Sequence, residues 1–571
     1  MMPTEPRRMH NWIVITLLGL LAVLCLLSMR FNSPTADEQN HISRGYHYLA
    51  TGNLDLNVAP PFVNALSAVP LLFQRDITIP SYDVTHAKTY INQFADEFVW
   101  VYNDAERIIH SGRLAIVVLS LLLGYFVFRW ANELWGARAG LLALLLYVLD
   151  PNIVAHSQLV TTDLGVACLI FIATYFLWRF LRQRRNLDLA LAGIAVGLAQ
   201  ATKFSALLLL PIIAGVLIIE TLVLRDHQLL GLWPWRARFD RRQWKRAIYF
   251  FCAVLLVLGL FSFLSFWASY RFETRPLSTP KAAHATVDSI VRHPTLRQLA
   301  YRLVESAAVP FPTYFRGIRW LQNYAEIGAP AFLMGQHSTE GWWYYFLVAF
   351  AIKTPVPTLI LLATVAVLTA RDRLDLAKRE YVLYIPVGVF TLATLFSFLN
   401  IGYRHILPVL PFLFVVASKV VLWTRTRWAR AALLALCLWY AVSSMSVYPH
   451  YLAYFNEVVG GPENGYKYLV DSNLDWGQDL KNLKTYMRNN GLETVYLGYF
   501  GSAHVDYYDI QSLPLPTDKP DELEARPAEV YAISATYLQA GYLGDTTAFS
   551  WLREYDPFAT IGYSILLYRL P

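Results

Sequence analysis

Charge is scarce in this chain. Asp, Glu, Lys and Arg supply only 16% of its 571 residues, against about 25% in an average soluble domain. Apolar residues fill the gap, at 56% of the sequence with a mean hydropathy of +0.36. So much apolar surface excludes an ordinary water-soluble core and points to a lipid-embedded protein. Cysteine is also rare: Cys25, Cys168, Cys252 and Cys437 each sit within an apolar run, with no CxxC or His-paired spacing. That excludes a disulfide framework and a zinc site. There is no GxxxxGK[ST], no GxSxG, no HExxH and no GxGxxG after a strand. A nucleotide-driven pump is thereby disfavoured and no nucleotide cofactor is expected.

Long apolar runs are what the sequence has instead. They fall near 12–29, 113–130, 138–155, 164–181, 187–202, 204–224, 247–268, 354–370, 381–399, 405–422 and 430–447, each close to the length needed to cross a hydrocarbon core of about 30 Å. The expected fold is therefore mainly α: a polytopic transmembrane bundle of about eleven helices. The net charge of +7 is explained by where the basic residues lie. Arg7 and Arg8 precede the first run, and Arg179, Arg182, Arg184 and Arg185 follow the fourth. Arg236, Arg238, Arg241, Arg242, Lys245 and Arg246 precede the seventh, and Arg371, Arg373, Lys378, Arg379, Arg425, Arg427 and Arg430 flank later ones. With an odd count of crossings all of these fall on one face, which the positive-inside bias makes cytoplasmic. The excess charge is topology, and no nucleic-acid partner is expected. The first run is too long for a signal-peptide core and lacks a small-residue cleavage site, so it reads as an uncleaved anchor.

This orientation places the N-terminus in the cytoplasm and leaves 30–112, 269–353 and the tail from 448 on the outer face of a multi-pass protein in the plasma (inner) membrane. Two units follow: a membrane domain over 1–447, with outer loops 30–112 and 269–353, and an extracytoplasmic α/β domain over 448–571. In the tail, Asp475 is placed to cap a helix over 476–490 that Gly491 ends, with strands at 494–500 and 530–534 and a Pro- and acid-rich loop at 513–527.

Several ionisable groups stand at the outer ends of the apolar runs. Asp37 and Glu38 follow the first, with His41 and Arg44 close behind. A carboxylate there suits a general base, and the plainer alternative is a solvated acidic pair at a helix end. Asp163 opens the fourth run after Thr161 and Thr162, where it either caps that helix or joins Asp37 across a shared cavity. Asp150 precedes Pro151 and reads as a turn residue. Lys203, Arg404 and His405 lie in outer turns against the charge bias, so they suit an anion such as a lipid phosphate, with snorkelling to headgroups as the alternative. Trp342, Trp343, Tyr344 and Tyr345 read first as an interfacial aromatic belt. Asp471, Asn473, Asp475 and Asp479 imitate a calcium loop, but Trp476 stands where glycine is required and Asn482 where the bidentate Glu should be.

In order and spacing these segments resemble a known family. Asp37-Glu38, Tyr48-Leu49-Ala50-Thr51-Gly52-Asn53 with Pro60-Pro61 and Pro70, Ser157 to Asp163, and Ala201-Thr202-Lys203-Phe204 carry the resemblance. So do Gly341 to Phe346 with Lys353-Thr354-Pro355, Gly402 to Pro408, Tyr454 to Glu457, and Asp471 to Gly477. Together they are similar to the polyprenyl-phosphate-dependent glycosyltransferases of the GT-C class (glycosyltransferase family 39-like), in the protein O-mannosyltransferase and aminoarabinose-transferase branch. The resemblance covers residues 35 to 490; the stretch 491–571 matches no named domain and is not the β-trefoil of eukaryotic protein mannosyltransferases. It implies a catalytic Asp37 with Glu38 beside it, Asp163 as a second acid, and a donor such as mannose on a polyprenyl phosphate. Lys203, Arg404 and His405 are then the donor-phosphate site. Asp37, Glu38 and Asp163 are the candidates to hold a divalent metal ion. The acceptor is a glycan, a lipid or a protein. A carrier that moves a lipid-linked sugar without chemistry is the alternative, disfavoured because the acids sit at span ends rather than near mid-membrane. A scaffold whose tail recruits partners is a third.

Overall fold

The architecture is given by a computed structural model. It describes residues 5–81, 89–222, 244–276, 293–301, 308–519 and 528–569, save for 295, 299, 329, 373, 376, 398, 540–542 and 544–545. Arg236, Arg238, Arg241, Arg242 and Arg373, and residues 520–527 of the acid-rich loop, lie outside the described residues.

Each apolar run forms a helix or a pair of helices. Among the described residues six are long and apolar enough to cross a membrane: His10–Ser28, Ala105–Trp135, Thr162–Gln183, Tyr249–Ser269, Tyr403–Trp423 and Arg427–Met445. Two more crossings exist if bent pairs are counted, Ala137–Val148 with Pro151–Ser157 at 64° and Tyr345–Lys353 with Val356–Asp372 at 111°. The chain is an integral membrane protein with a mainly helical fold. Asn186–Gln200, Phe204–Glu220 and Tyr381–Leu395 are shorter. At 1.5 Å per residue a 15-residue helix spans only about 22 Å of a core about 30 Å thick. Among the described residues the helices of full crossing length therefore number six, or eight with the bent pairs, and the shorter apolar helices fall short of a straight crossing on their own. Hydropathy marks apolar residues but not where the chain breaks, and here it breaks at the Ala201–Lys203 turn and at Pro151 and Pro355.

Burial separates centre from periphery. The apolar window of Thr162–Gln183 is 89% buried and that of Tyr403–Trp423 is 78% buried, against 17% for Arg427–Met445 and 22% for Tyr249–Ser269. The first two form the middle of the bundle and the last two present apolar side chains outward, as lipid-facing helices do. Both central helices begin at the end of the bundle where the candidate residues lie.

The tail carries a five-stranded sheet in the order Ser512–Pro514, Val495–Gly498, Tyr531–Ser534, Ile565–Tyr568, Ala559–Ile561. The first two pairings are parallel and the last two antiparallel. The two strands expected from the sequence are present. The helix is Leu480–Asn489, capped at Asp479, and not 476–490. Its first turn is used elsewhere: the Trp476 and Gln478 carbonyls accept from the Ala36 and Ser33 amides at 3.0 and 2.8 Å, and the Asp475 carboxylate accepts from the Thr536 amide at 2.9 Å. Asp475 thus fastens the sheet to the run 471–477 instead of capping a helix.

Candidate functional site

Residues 33–36 connect the first membrane helix to the helix Glu38–Thr51 and determine where Asp37 sits. They are bonded to 476–480 by the two amides just named and by the Leu480 amide, which donates to Ser33 Oγ at 3.0 Å. Glu38 anchors the same corner. Its carboxylate lies fully buried between the Arg113 Nε and Nη2 groups, at 2.9 and 2.7 Å, and also accepts the Thr35 and Val160 amides at 2.8 and 2.9 Å. Thr35, two residues ahead of the N-cap position Asp37, donates both its amide and its hydroxyl to Glu38 Oε2, which folds the entry to the helix back on itself. Arg113 spends its other hydrogens on the Met29, Asn32 and Ser33 carbonyls. Burial pushes the Glu38 carboxyl up in pKa, but Arg113 and the amide donors outweigh it and hold it ionised below its ordinary value.

Asp37 points the other way. Its backbone carbonyl serves the helix by accepting from the Asn40 and His41 amides, while its carboxylate makes no capping bond. The carboxylate instead meets Arg404, Nη1 to Oδ2 at 2.7 Å. Burial acts to raise the pKa of Asp37; the Arg404 guanidinium and His41 outweigh it, leaving the acid below the ordinary aspartate value. His41 is lowered mainly by burial and bonds Asn64 at 2.9 Å. Arg44, bonded to Asn40 at 3.2 Å, is lowered by burial to about 10.

Arg404 is the hub. The same Nη1 lies 4.0 Å from Asp163 Oδ2, and Asp163 Oδ1 receives Lys203 Nζ at 2.5 Å. Four of the six candidate residues thus form one chain of alternating charge, Asp37, Arg404, Asp163, Lys203. Asp163 joins Asp37 through that shared cation and is not a cap, and Lys203 is paired rather than snorkelling. The guanidinium also lies 4.2 Å from the Trp476 ring centroid, a contact worth roughly 2 kcal/mol when desolvated. Its backbone is pinned by the tail: the Tyr403 amide donates to Asn473 Oδ1 at 2.8 Å and Ser472 Oγ donates to the Ile401 carbonyl at 2.7 Å. A Cβ on Gly402 would stand 2.1 Å from Ser472 Oγ, so only glycine permits this approach. His405 and His156 lie within electrostatic reach of Asp163 and Arg404. His405 Nε2, His156 Nδ1 and Arg404 Nε are buried without hydrogen-bond partners. Buried polar atoms of this kind call for a ligand or water.

Two neighbours escaped the sequence reading. Lys353 is buried and donates to the Leu452, Tyr454 and Asn473 carbonyls at 3.1, 2.9 and 2.5 Å; its place in a Lys-Thr-Pro motif gave no hint of that task. Trp476 stands in the sequence as a member of the Asp471 to Gly477 segment and as the residue that spoils a calcium loop, and neither role signals a ring against Arg404. Asp150 is a cap, accepting the Asn152 and Ile153 amides at 3.0 Å. Among the described residues no three of His, Cys, Asp and Glu converge on a metal position. Asp37, Glu38 and Asp163 each face a cation of the chain itself, so the proposed ligand set does not fit a divalent ion.

Residues 105–235 match the family model of dolichyl-phosphate-mannose-protein mannosyltransferases. This supports the GT-C resemblance. The matched stretch contains Arg113, Asp163 and Lys203. No curated protein sequence matches the chain. Among solved structures, the chain is similar to ArnT from Cupriavidus metallidurans bound to undecaprenyl phosphate, at 13% identity over 98% of this chain and 97% of that one, with a TM-score of 0.44. It is also similar to the Archaeoglobus fulgidus oligosaccharyltransferase in complex with Zn and sulfate, at 12% identity, 89% and 59% coverage and a TM-score of 0.38. The complex of that archaeal enzyme, AglB, with an inhibitory peptide and a dolichol-phosphate gives 13% identity, 90% and 61% coverage and 0.39.

Proposed function

We propose that the chain is an inverting membrane glycosyltransferase that takes a sugar, mannose or one like it, from a polyprenyl phosphate and transfers it to an acceptor on the extracytoplasmic side. The observation that carries this reading is the alternating chain Asp37, Arg404, Asp163, Lys203 at the mouth of the two central helices. It offers a base and a phosphate site that share one guanidinium.

The chemistry follows from that sharing. The acceptor oxygen attacks the anomeric carbon, the bond from that carbon to the phosphate oxygen breaks, and the acceptor proton passes to Asp37. The departing phosphate gains charge, which Arg404, Lys203 and the imidazole of His405 are placed to stabilise. In the free protein Arg404 lowers the basicity of Asp37. A phosphate bound at Arg404 competes for the guanidinium, so donor arrival restores basicity to the carboxylate when it is needed. Asp163 positions Lys203 and Arg404, and Glu38 acts through the backbone to aim Asp37. No step calls for a metal held by these acids. The lipid tail confines the donor to the interface, which makes its meeting with a bound acceptor nearly intramolecular. The unit from 448 onward sits on the extracytoplasmic side and closes the mouth.

Asp37→Asn preserves volume and the bond from Arg404 but removes the proton acceptor. Transfer from a purified polyprenyl-phosphate mannose donor is expected to fall by roughly 10²-fold or more, with the protein still monodisperse. Wild-type turnover in that variant removes Asp37 from the reaction.

A further inference from the structure

Next to the charge chain lies a cavity of about 560 Å³ whose walls come from three separate parts of the protein. The hairpin of Ala331–Leu333 and Gln336–Ser338 forms one side, Tyr345 with Asn400 and Ile401 the floor, and Val470, Asp471, Leu543 and Thr546 of the tail the other side. Its floor is continuous with Arg404, because Ile401 and Tyr403 are the residues clamped to Ser472 and Asn473. Its chemistry is the reverse of the phosphate site. Glu340 and Asp471 supply two carboxylates, and no Lys or Arg is among its described lining residues. The lining histidine, His337, donates from Nε2 to the Gln539 carbonyl at 2.5 Å. Apolar faces from Phe332, Tyr345 and Leu543 alternate with the carboxylates and with the Ser338 and Thr546 hydroxyls.

A lipid phosphate is repelled by such a lining. A polyhydroxylated ring suits it, since carboxylates and hydroxyls pair with sugar hydroxyls while the aromatic and aliphatic walls cover the C–H faces. The volume falls in the range of small-molecule sites, about 300 to 1,000 Å³. We propose that this cavity holds the acceptor, and that the acceptor presents a neutral or amino sugar to it. The inference rests on the glycosyltransferase reading and adds the acceptor's chemical class. It also gives the tail a task, because the site is incomplete without Val470, Asp471, Leu543 and Thr546.

The test uses the full-length protein in detergent with methyl β-glucopyranoside and methyl β-glucosaminide as sugar probes, read by saturation-transfer NMR, and undecaprenyl phosphate as a separate lipid probe. Thr546 and Glu340 are exposed at the rim, so Thr546→Trp and Glu340→Lys alter the cavity without disturbing a core. Wild-type protein should bind at least one sugar. Each substitution should weaken that binding about tenfold or more, while the affinity for undecaprenyl phosphate moves by less than about twofold. Absence of sugar binding, or binding that neither substitution changes, overturns the proposal. So does a loss of undecaprenyl phosphate binding in the variants equal to the loss of sugar, which would make the cavity the donor's. If wild-type protein binds sugars but no undecaprenyl phosphate, the cavity stands and the glycosyltransferase reading fails instead.

Discussion

Asp37 and Glu38 are adjacent in the chain, carry the same charge and live in opposite surroundings. Glu38 is enclosed by Arg113 and two amides, whereas Asp37 reaches out to a cation on a different helix. Enclosed pairs of this kind are costly to break from one side, because the remaining ion stays buried without its counter-charge. Arg113→Ala is expected to destabilise the protein by about 3–5 kcal/mol, and the double change Arg113→Met with Glu38→Gln by clearly less, as read from thermal midpoints of the purified protein. Equal losses in the two variants would mean that the pair contributes no more than its volume. The sequence could single out the acidic dipeptide but not divide its labour, since the partner that separates the two acids lies 75 residues away. Arg404 was legible for a better reason: a cation on the outer face runs against the charge bias and so demands a function.

At the scale of elements, the stretch from Val470 to Leu480 has little regular structure and bonds both to the sheet and to two loops of the bundle. Its acid-and-asparagine pattern suggests a metal loop or a helix cap, because those residue types are shared by both; Asp479 holds the N-cap position of Leu480–Asn489, but the run as a whole serves as a joint. Asp475 shows why. Its carboxylate accepts the Thr536 amide, with Ser534 Oγ at 3.5 Å, and burial pushes its pKa up to about 7. A folded-state pKa above the unfolded value of about 3.9 stabilises the fold at low pH, and that contribution is lost as pH rises from about 4 to about 7. The tail is therefore expected to be more stable at pH 5 than at pH 8, at about 1.4 kcal/mol for each pH unit crossed in that window. Asp475→Asn should flatten the difference. Hydrogen exchange on the strand Tyr531–Ser534 across pH measures it, and a pH profile that is identical in the variant assigns the effect to other groups.

For the whole molecule, hydropathy is a good guide to where helices lie and is silent on where they break. Apolar composition is a property of each segment, while crossing depends on length, and length is set by turns at Lys203 and by prolines that hydropathy averages away. The outer face follows from Lys and Arg placement together with an odd number of crossings. That orientation predicts that, with exposed Cys252 changed to Ser, an impermeant maleimide added to intact cells labels Glu340→Cys but not Arg371→Cys until the membrane is opened. The reverse pattern would put the Asp37 corner in the cytosol, where no lipid-linked donor of the outer leaflet could reach it.

Ser33 and Ala36 on one side, and Ile401 and Tyr403 on the other, are all bonded to the single run 472–480. Base and guanidinium therefore take their spacing from a third piece of chain that carries neither of them. For anyone exchanging tails between relatives, the safe seam comes after this run and not at the end of the last membrane helix. A graft joined at 447 would import foreign bonds to both loops and reset the gap between Asp37 and Arg404, even with every ionisable side chain of the mouth left in place.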